Sequence, residues 1–137
     1  MKKLLTLFMS LVVITSIFSC GTTKQQMEGN TNVPAAEGVI SVKETDNNNT
    51  SMTVKVKHLA EARKVFSGAT NYIVWIQPEG SEAYQNVGAL QVDKNLQGTH
   101  TTTIPYKNFK VLITPEMSSM GQTPTGPAVF EQRVMRQ

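Results

Sequence analysis

Short apolar runs alternate with turn-forming residues along most of the chain. In the clearest run, residues 51–59, apolar side chains alternate with serine, threonine or lysine. Because successive side chains of a β-strand point to opposite faces, a period of two predicts a strand with one buried and one solvated face. The residues on the apolar parity of this run are Met52, Val54, Val56 and His58.

Six further runs have strand character, and glycine, proline or asparagine-rich turns separate them. Residues 72–76 are apolar at every position, which predicts a central strand covered on both faces, with Trp75 at the centre of the core. The pattern therefore predicts an all-β domain, an antiparallel β-sandwich of about seven strands, either immunoglobulin-like or cupredoxin-like. The predicted strands are residues 39–43, 51–59, 72–76, 87–92, 99–104, 109–113 and 128–134.

The amino-terminal segment has the proportions of an export signal. Lys2 and Lys3 precede residues 4–18, which are apolar apart from Ser and Thr. This stretch is shorter than the roughly 20 apolar residues that a membrane-spanning helix needs. It ends in Ile17-Phe18-Ser19-Cys20-Gly21, which resembles the lipobox of bacterial lipoproteins.

A lipobox implies that diacylglyceryl and acyl chains, such as palmitate, are attached to Cys20. Each buried CH₂ of these chains contributes about 0.8 kcal/mol, so several chains hold a protein on a membrane stably. We expect a signal peptide at residues 1–19, a lipidated cysteine and flexible tether at 20–37, and the β-sandwich at 38–137. Residues 21–37 lack apolar periodicity, which favours the tether.

The residue after the cysteine bears on the location. Aspartate there favours retention in the inner membrane of lipoproteins that this motif resembles, but the chain has Gly21. No acidic run of the kind that directs some lipoproteins to the cell surface follows Cys20. We expect an outer-membrane lipoprotein whose folded domain faces the periplasm.

Charge and cysteine content narrow the function classes. The formal charge is +3, but without Lys2 and Lys3 eleven basic residues face ten acidic ones. A nearly neutral mature protein gives no indication of nucleic-acid binding. The single cysteine, Cys20, excludes an intrachain disulfide and a multi-cysteine metal cluster.

Candidate chemistry is sparse. No serine lies in a Gly-x-Ser-x-Gly setting, there is no glycine-rich phosphate loop, and the glutamates lie near predicted turns, so we expect a non-enzymatic protein without a cofactor. Thioether and imidazole groups bind copper in cupredoxin-type sites. We expect no metal site here, and the weak candidates for one are Met117, Met120, His58 and His100.

The connection before the last predicted strand is long for a hairpin. Residues 115–126 contain glycine and proline breakers and two methionines, and long connections on a rigid sandwich commonly carry recognition. We expect that a two-residue turn in place of this loop leaves the fold intact and abolishes partner binding. The candidate interaction residues are Glu116, Met117, Met120, Thr123 and Thr125.

Several short sequence segments between about residues 39 and 134 resemble, in their order and spacing, the extracytoplasmic C-terminal domain of anti-sigma-K-type factors. They are Leu59-Ala60-Glu61-Ala62, Tyr72-Ile73-Val74-Trp75-Ile76 with Pro78-Glu79-Gly80, Val87-Gly88-Ala89-Leu90-Gln91-Val92-Asp93, Phe109-Lys110-Val111-Leu112-Ile113-Thr114-Pro115-Glu116 and Thr123-Pro124-Thr125-Gly126-Pro127. The resemblance implies a membrane-associated, non-enzymatic module outside the cell. The chain lacks the zinc-binding motif and the sigma-binding cytoplasmic domain of full-length members, so only the outer domain is carried over.

These features together lead to one main expectation and one alternative. The main expectation is a non-catalytic lipoprotein that serves as an extracytoplasmic interaction or sensing module, with a protein or cell-envelope partner. The alternative is a periplasmic lipoprotein that binds a small ligand or copper through the loop at 115–126.

Overall fold

The computed structural model describes residues 21–136. It contains eight β-strands and one short helix. The strands are β1 (Thr23–Glu28), β2 (Glu37–Glu44), β3 (Thr50–Lys57), β4 (Asn71–Pro78), β5 (Gln85–Leu90), β6 (Gly98–Ile104), β7 (Asn108–Glu116) and β8 (Phe130–Met135), and the helix is α1 (Ala62–Val65).

The strands form two four-stranded antiparallel sheets, which confirms the predicted all-β sandwich. Sheet A has the order β1-β2-β3-β6 and sheet B the order β5-β4-β7-β8. The seven predicted strands correspond to β2 to β8. Among these seven, the second pairs with the fifth and the third with the sixth, as in the immunoglobulin-like alternative.

The two ends of the sandwich differ in their connections. At one end, the turn end, tight turns at residues 45–49, 79–84 and 105–107 join the strands. β1 begins at this end, because Thr23 pairs with Val42 next to the 45–49 turn. The opposite end, the loop end, carries the longer connections at 29–36, 58–70, 91–97 and 117–129.

The main core lies between the two sheets. The predicted alternation of β3 is present, since Met52, Val54 and Val56 are buried and Lys55 and Lys57 are exposed. His58 departs from this pattern. β3 ends at Lys57, and His58 adopts a left-handed backbone conformation with φ of 55° that turns its side chain into solvent. The expectation of an inward-facing His58 is therefore wrong.

Residues 23–36 were expected to lie in a flexible tether, but they are part of the sandwich. β1 pairs with β2 along all of its residues, from Thr23 with Val42 to Glu28 with Glu37. Met27, Val33 and Ala36 are buried in the main core. The backbone hydrogen bonds between β1 and β2 and the burial of these three apolar side chains stabilise residues 23–36 in the sandwich, although their sequence has no apolar periodicity. Residues 23–36 therefore belong to the sandwich.

A central strand of sheet B, β4, is buried on both faces. Tyr72, Val74 and Ile76 of β4 face the main core, whereas Ile73 and Trp75 face away from it. On this outer face Ile73, Trp75 and Leu112 form a second buried group, which we call the outer cluster. Trp75 is fully buried as expected, but it is the centre of the outer cluster and not of the main core.

Candidate functional site

The connection from β7 to β8, residues 117–129, lies at the loop end and forms the candidate site. Met117 and Met120 are 59% and 80% exposed, and they are the two most exposed large apolar side chains among residues 21–136. Thr123 and Thr125 are exposed as well. Four of the five candidate interaction residues are therefore accessible at one end of the domain.

Glu116, the fifth candidate, is buried at 4% exposure and belongs to the framework under the loop. Its Oε1 accepts hydrogen bonds from Thr125 N at 2.8 Å and Gly126 N at 3.1 Å. Oε2 accepts a hydrogen bond from the Thr125 hydroxyl. Glu116 is therefore not an exposed contact residue, because its carboxylate satisfies two backbone N–H groups of a chain segment that has no strand partner.

These hydrogen bonds determine the charge state of Glu116. Burial by itself raises the pKa of the carboxyl group, because it disfavours the charged form. Hydrogen bonds from Thr114, Thr125 and Gly126 to the carboxylate outweigh burial and lower the pKa below its ordinary value. Glu116 is therefore an anion, and its carboxylate holds Thr125 and Gly126 next to the end of β7.

The hydrogen-bond network continues into the outer cluster. Trp75 Nε1 donates to Thr114 Oγ1 at 2.8 Å, and Thr114 Oγ1 donates to Glu116 Oε1 at 2.6 Å. Gly126 packs so closely on Pro115 that an added Cβ would lie 1.9 Å from its carbonyl oxygen. The loop is therefore folded back against sheet B at its base.

A second attachment holds the middle of the loop. The Asn86 side-chain amide of β5 donates to the carbonyl oxygens of Ser119 and Gly121, both at 3.0 Å. Gly121 lies directly over the indole of Trp75, since a Cβ at this position would be 3.5 Å from Cη2. The loop thus covers Trp75 of the outer cluster, while Met117, which packs beside Gly68, and Met120 remain largely exposed.

The candidate copper ligands lie on different elements of the sandwich. Met117 and Met120 follow β7 of sheet B, whereas His58 follows β3 and His100 lies in β6 of sheet A. His100 is inserted between the sheets, where its Nε2 lies 2.9 Å from the Val87 carbonyl oxygen. Its ring fills the space beside Gly88, where a Cβ would lie 2.4 Å from Cε1. His100 therefore joins the two sheets at the β5–β6 edge.

A polar cleft of about 520 Å³ lies beside α1, lined in part by Glu61, Asn71 and Gln91. Tyr72, at its wall, donates its hydroxyl to the Ala60 carbonyl oxygen at 2.6 Å. Burial raises the pKa of Tyr72 to about 12, so the hydroxyl stays protonated and holds the α1 connection. Over residues 21–136, no group of three or more His, Cys, Asp or Glu side chains is arranged to hold a metal ion.

The predicted lipid site, Cys20, and the signal segment lie outside the described residues. Within residues 21–136 no helix is long and apolar enough to cross a membrane. No protein-family model matches the chain, and no curated protein shows significant similarity to it.

The sequence indicated the loop as a candidate interaction site, but it did not show which residues hold the loop against sheet B. Asn86 has no distinguishing sequence signal, because an asparagine in a strand is also compatible with a solvated edge position. The phrase Thr123-Pro124-Thr125-Gly126-Pro127 did contain a signal, since a glycine between threonine and proline suits a close backbone approach. Its partner across the loop, Glu116, is recognisable only from the fold.

Proposed function

We propose that this protein is a non-catalytic lipoprotein, anchored through lipid on Cys20 to the periplasmic side of the outer membrane. Its β-sandwich serves as an extracytoplasmic interaction or sensing module that binds a protein or cell-envelope partner. The observation that carries the proposal is the pair of exposed methionines on a loop that Glu116 and Asn86 hold in place.

The chemistry of the loop favours protein recognition. Methionine is flexible and polarisable, so it adapts to irregular apolar surfaces and is common where proteins bind partners. The backbone beneath Met117 and Met120 is attached at Ser119, Gly121 and Thr125. An ordered loop loses little conformational entropy on association, which increases affinity.

The position of the loop is compatible with a membrane anchor. β1 begins at the turn end, three residues after Cys20 in the sequence, whereas Met117 and Met120 are at the loop end. Lipid on Cys20 would therefore leave the two methionines at the end of the domain away from the attachment point. A relationship to the C-terminal domain of anti-sigma-K-type factors, which the sequence phrases suggest, agrees with such a role.

Partner capture tests the interaction surface. The variant Met117→Ser/Met120→Ser is cross-linked in the native envelope and compared with wild type and with Met135→Ser. Met135 is a matched control because it is 56% exposed and lies at the turn end. We expect the double variant to lose its cross-linked partner while Met135→Ser retains it. Equal capture by all three proteins would refute the assignment of the loop.

Fractionation tests the anchor independently. We expect Cys20→Ser to release the domain from the membrane fraction or to accumulate as an unprocessed precursor, because the serine hydroxyl is not alkylated in place of the thiol. The control is Ser19→Ala, which keeps a small residue before the cysteine. Normal processing and full membrane retention of Cys20→Ser would exclude the lipid anchor.

A further inference from the structure

The outer face of sheet A has an unusual composition and, among residues 21–136, no loop covers it as the β7–β8 loop covers Trp75 on sheet B. The strand registers align its outward residues in rows across the sheet. Three consecutive rows contain lysine and hydroxyl side chains and no carboxylate, and we call them the lysine–hydroxyl face; the next row toward the loop end, Glu28-Glu37-Lys57, has two exposed carboxylates and one lysine. The rows are Lys43-Ser51-Thr103, Lys24-Ser41-Thr53-Thr101 and Gln26-Val39-Lys55-Thr99.

The side chains of this face are directed to solvent. Lys24, Lys43 and Lys55 are exposed, and none of them is in an ion pair within residues 21–136. Thr53 Oγ1 and Thr101 Oγ1 lie 3.0 Å apart, which shows that neighbouring strands present their hydroxyls side by side. The face therefore combines three unneutralised positive charges with hydroxyl donors, the groups that bind phosphate oxygens.

The start of β1 places this face near the proposed anchor. Thr23 is three residues after Cys20, and a chain spans at most about 3.3–3.6 Å per residue, so the corner of sheet A is within about 11 Å of the lipid-bearing residue. Two surfaces meet at that corner, the turn end and the lysine–hydroxyl face. The charged residues of the three turns at the turn end are Asp46, Glu79, Glu82 and Lys107.

We infer that the lysine–hydroxyl face docks on the anionic phospholipid head groups of the membrane that holds the anchor. This inference rests on the proposed lipid site at Cys20. The three turns have three acidic residues and one basic residue, and the Glu44–Arg136 ion pair beside them adds no net charge, so an anionic surface repels the turn end and attracts the lysine–hydroxyl face. The domain then lies on sheet A, and the outer face of sheet B, with Met120, is directed away from the lipid.

Cysteine accessibility in vesicles tests the docking. The lipidated full-length protein carries Thr103→Cys or, as a control, Gln122→Cys; lipid occupies the sulfur of Cys20, so each engineered thiol is unique. Each protein is reconstituted into vesicles of phosphatidylcholine alone or with phosphatidylglycerol, and its labelling by a membrane-impermeant maleimide is timed. We expect slow labelling of Thr103→Cys only with phosphatidylglycerol, reversal by salt, and fast labelling of Gln122→Cys throughout.

Charge variants assign the effect to the lysines. A basic residue near an anionic surface changes the ratio of docked to undocked protein about fivefold, so Lys24→Gln/Lys43→Gln/Lys55→Gln lowers this ratio by roughly two orders of magnitude. The matched control Lys64→Gln/Lys94→Gln/Arg133→Gln removes the same charge from exposed positions elsewhere and leaves labelling slow. Unchanged Trp75 emission verifies that both variants are folded.

The remaining outcomes overturn the inference in distinguishable ways. Protein that does not enter the vesicle fraction shows that the anchor is absent, and the proposed function fails with it. Protein that enters the vesicles but labels equally fast at Thr103→Cys and Gln122→Cys leaves the anchor intact and refutes docking alone. Slow labelling that appears only after an anionic polysaccharide is added identifies a glycan as the occupant and refutes the lipid surface.

Discussion

At the scale of single residues, Glu116 makes stability depend on pH. Its pKa in the folded protein is lowered from 4.5, so the carboxylate stabilises the fold fully above that value, and this contribution is lost as the pH falls through the lowered pKa. We expect Glu116→Gln to cost about 1.5–3 kcal/mol at neutral pH, because it removes charge-assisted hydrogen bonds. The same variant loses less stability than wild type between neutral pH and about pH 3.

Urea unfolding at several pH values measures this difference. Glu82→Gln is the control, since Glu82 is an exposed glutamate of the 79–84 turn and its removal leaves the pH dependence near that of wild type. An identical pH dependence for Glu116→Gln and wild type would show that the carboxylate does not hold the loop.

Residue-level expectations were correct along most of a visible period of two and failed where that period was absent or where the strand ended early. The alternation of Met52, Val54 and Val56 identified the buried face of β3 directly. Residues 72–76 are apolar at each position, so burial of Trp75 was predictable but the face on which it lies was not. His58 continues the β3 alternation in sequence, but a single left-handed residue ends the strand before it.

At the scale of elements, β1 is an edge strand that stabilises the fold mainly through Met27. Met27 is 3% exposed and Met135, in the edge strand β8, is 56% exposed. We expect Met27→Ala to cost about 2–5 kcal/mol and Met135→Ala to stay within about 0.5 kcal/mol of wild type in urea unfolding. Equal effects would mean that residues 23–36 do not contribute to the core. A variant without residues 1–37 loses this contribution.

β1 was not predictable from the sequence because only one of its side chains, Met27, is buried. Its sequence, Thr-Lys-Gln-Gln-Met-Glu, has a single apolar side chain, and the inward Thr23 and Gln25 are only half-buried at the rim of the core. An edge strand with one solvated face and a polar rim has no hydrophobic period to detect. Tertiary pairing with β2 determines this strand, and pairing is not a local property of the sequence.

The β7–β8 loop covers Trp75, which changes the expected result of shortening it. Replacing residues 117–127 by a short turn removes Gly121 from the indole, so we expect a loss of stability of at most about 3–5 kcal/mol, the range for removal of a large buried aromatic side chain. Trp75 is the only tryptophan, so its emission reports the change directly and shifts to longer wavelength. Met120→Ser, which leaves the backbone in place, is the control and keeps the wild-type emission. A shortened loop with unchanged stability and emission would contradict the covering role.

At the scale of the whole molecule, only two residues, Gly21 and Thr22, lie between Cys20 and β1, where the sequence predicts a long flexible tether. A flexible tether would let the domain sample many orientations, whereas β1 begins three residues after the proposed lipid site. The lysine–hydroxyl face and the β7–β8 loop have fixed relative positions within one sandwich. Thr23, the first residue of β1 after the proposed lipid site, and the proposed contact loop lie at opposite ends of the strands.

The same sandwich should unfold as one cooperative unit, although it has two buried clusters. The main core draws residues from both sheets, and His100 joins β6 to Val87 at one edge while Gln132 and Gln25 share a hydrogen bond of 3.4 Å at the other. β4 contributes alternate side chains to the main core and to the outer cluster, so we expect the two clusters to lose their order together.

We expect Trp75 emission, which reports the outer cluster, and far-ultraviolet circular dichroism, which reports both sheets, to change at the same urea concentration. Met27→Ala, located in the main core, should shift both transitions equally. A Trp75 transition that precedes the loss of circular dichroism would show that the loop and outer cluster open separately from the sandwich.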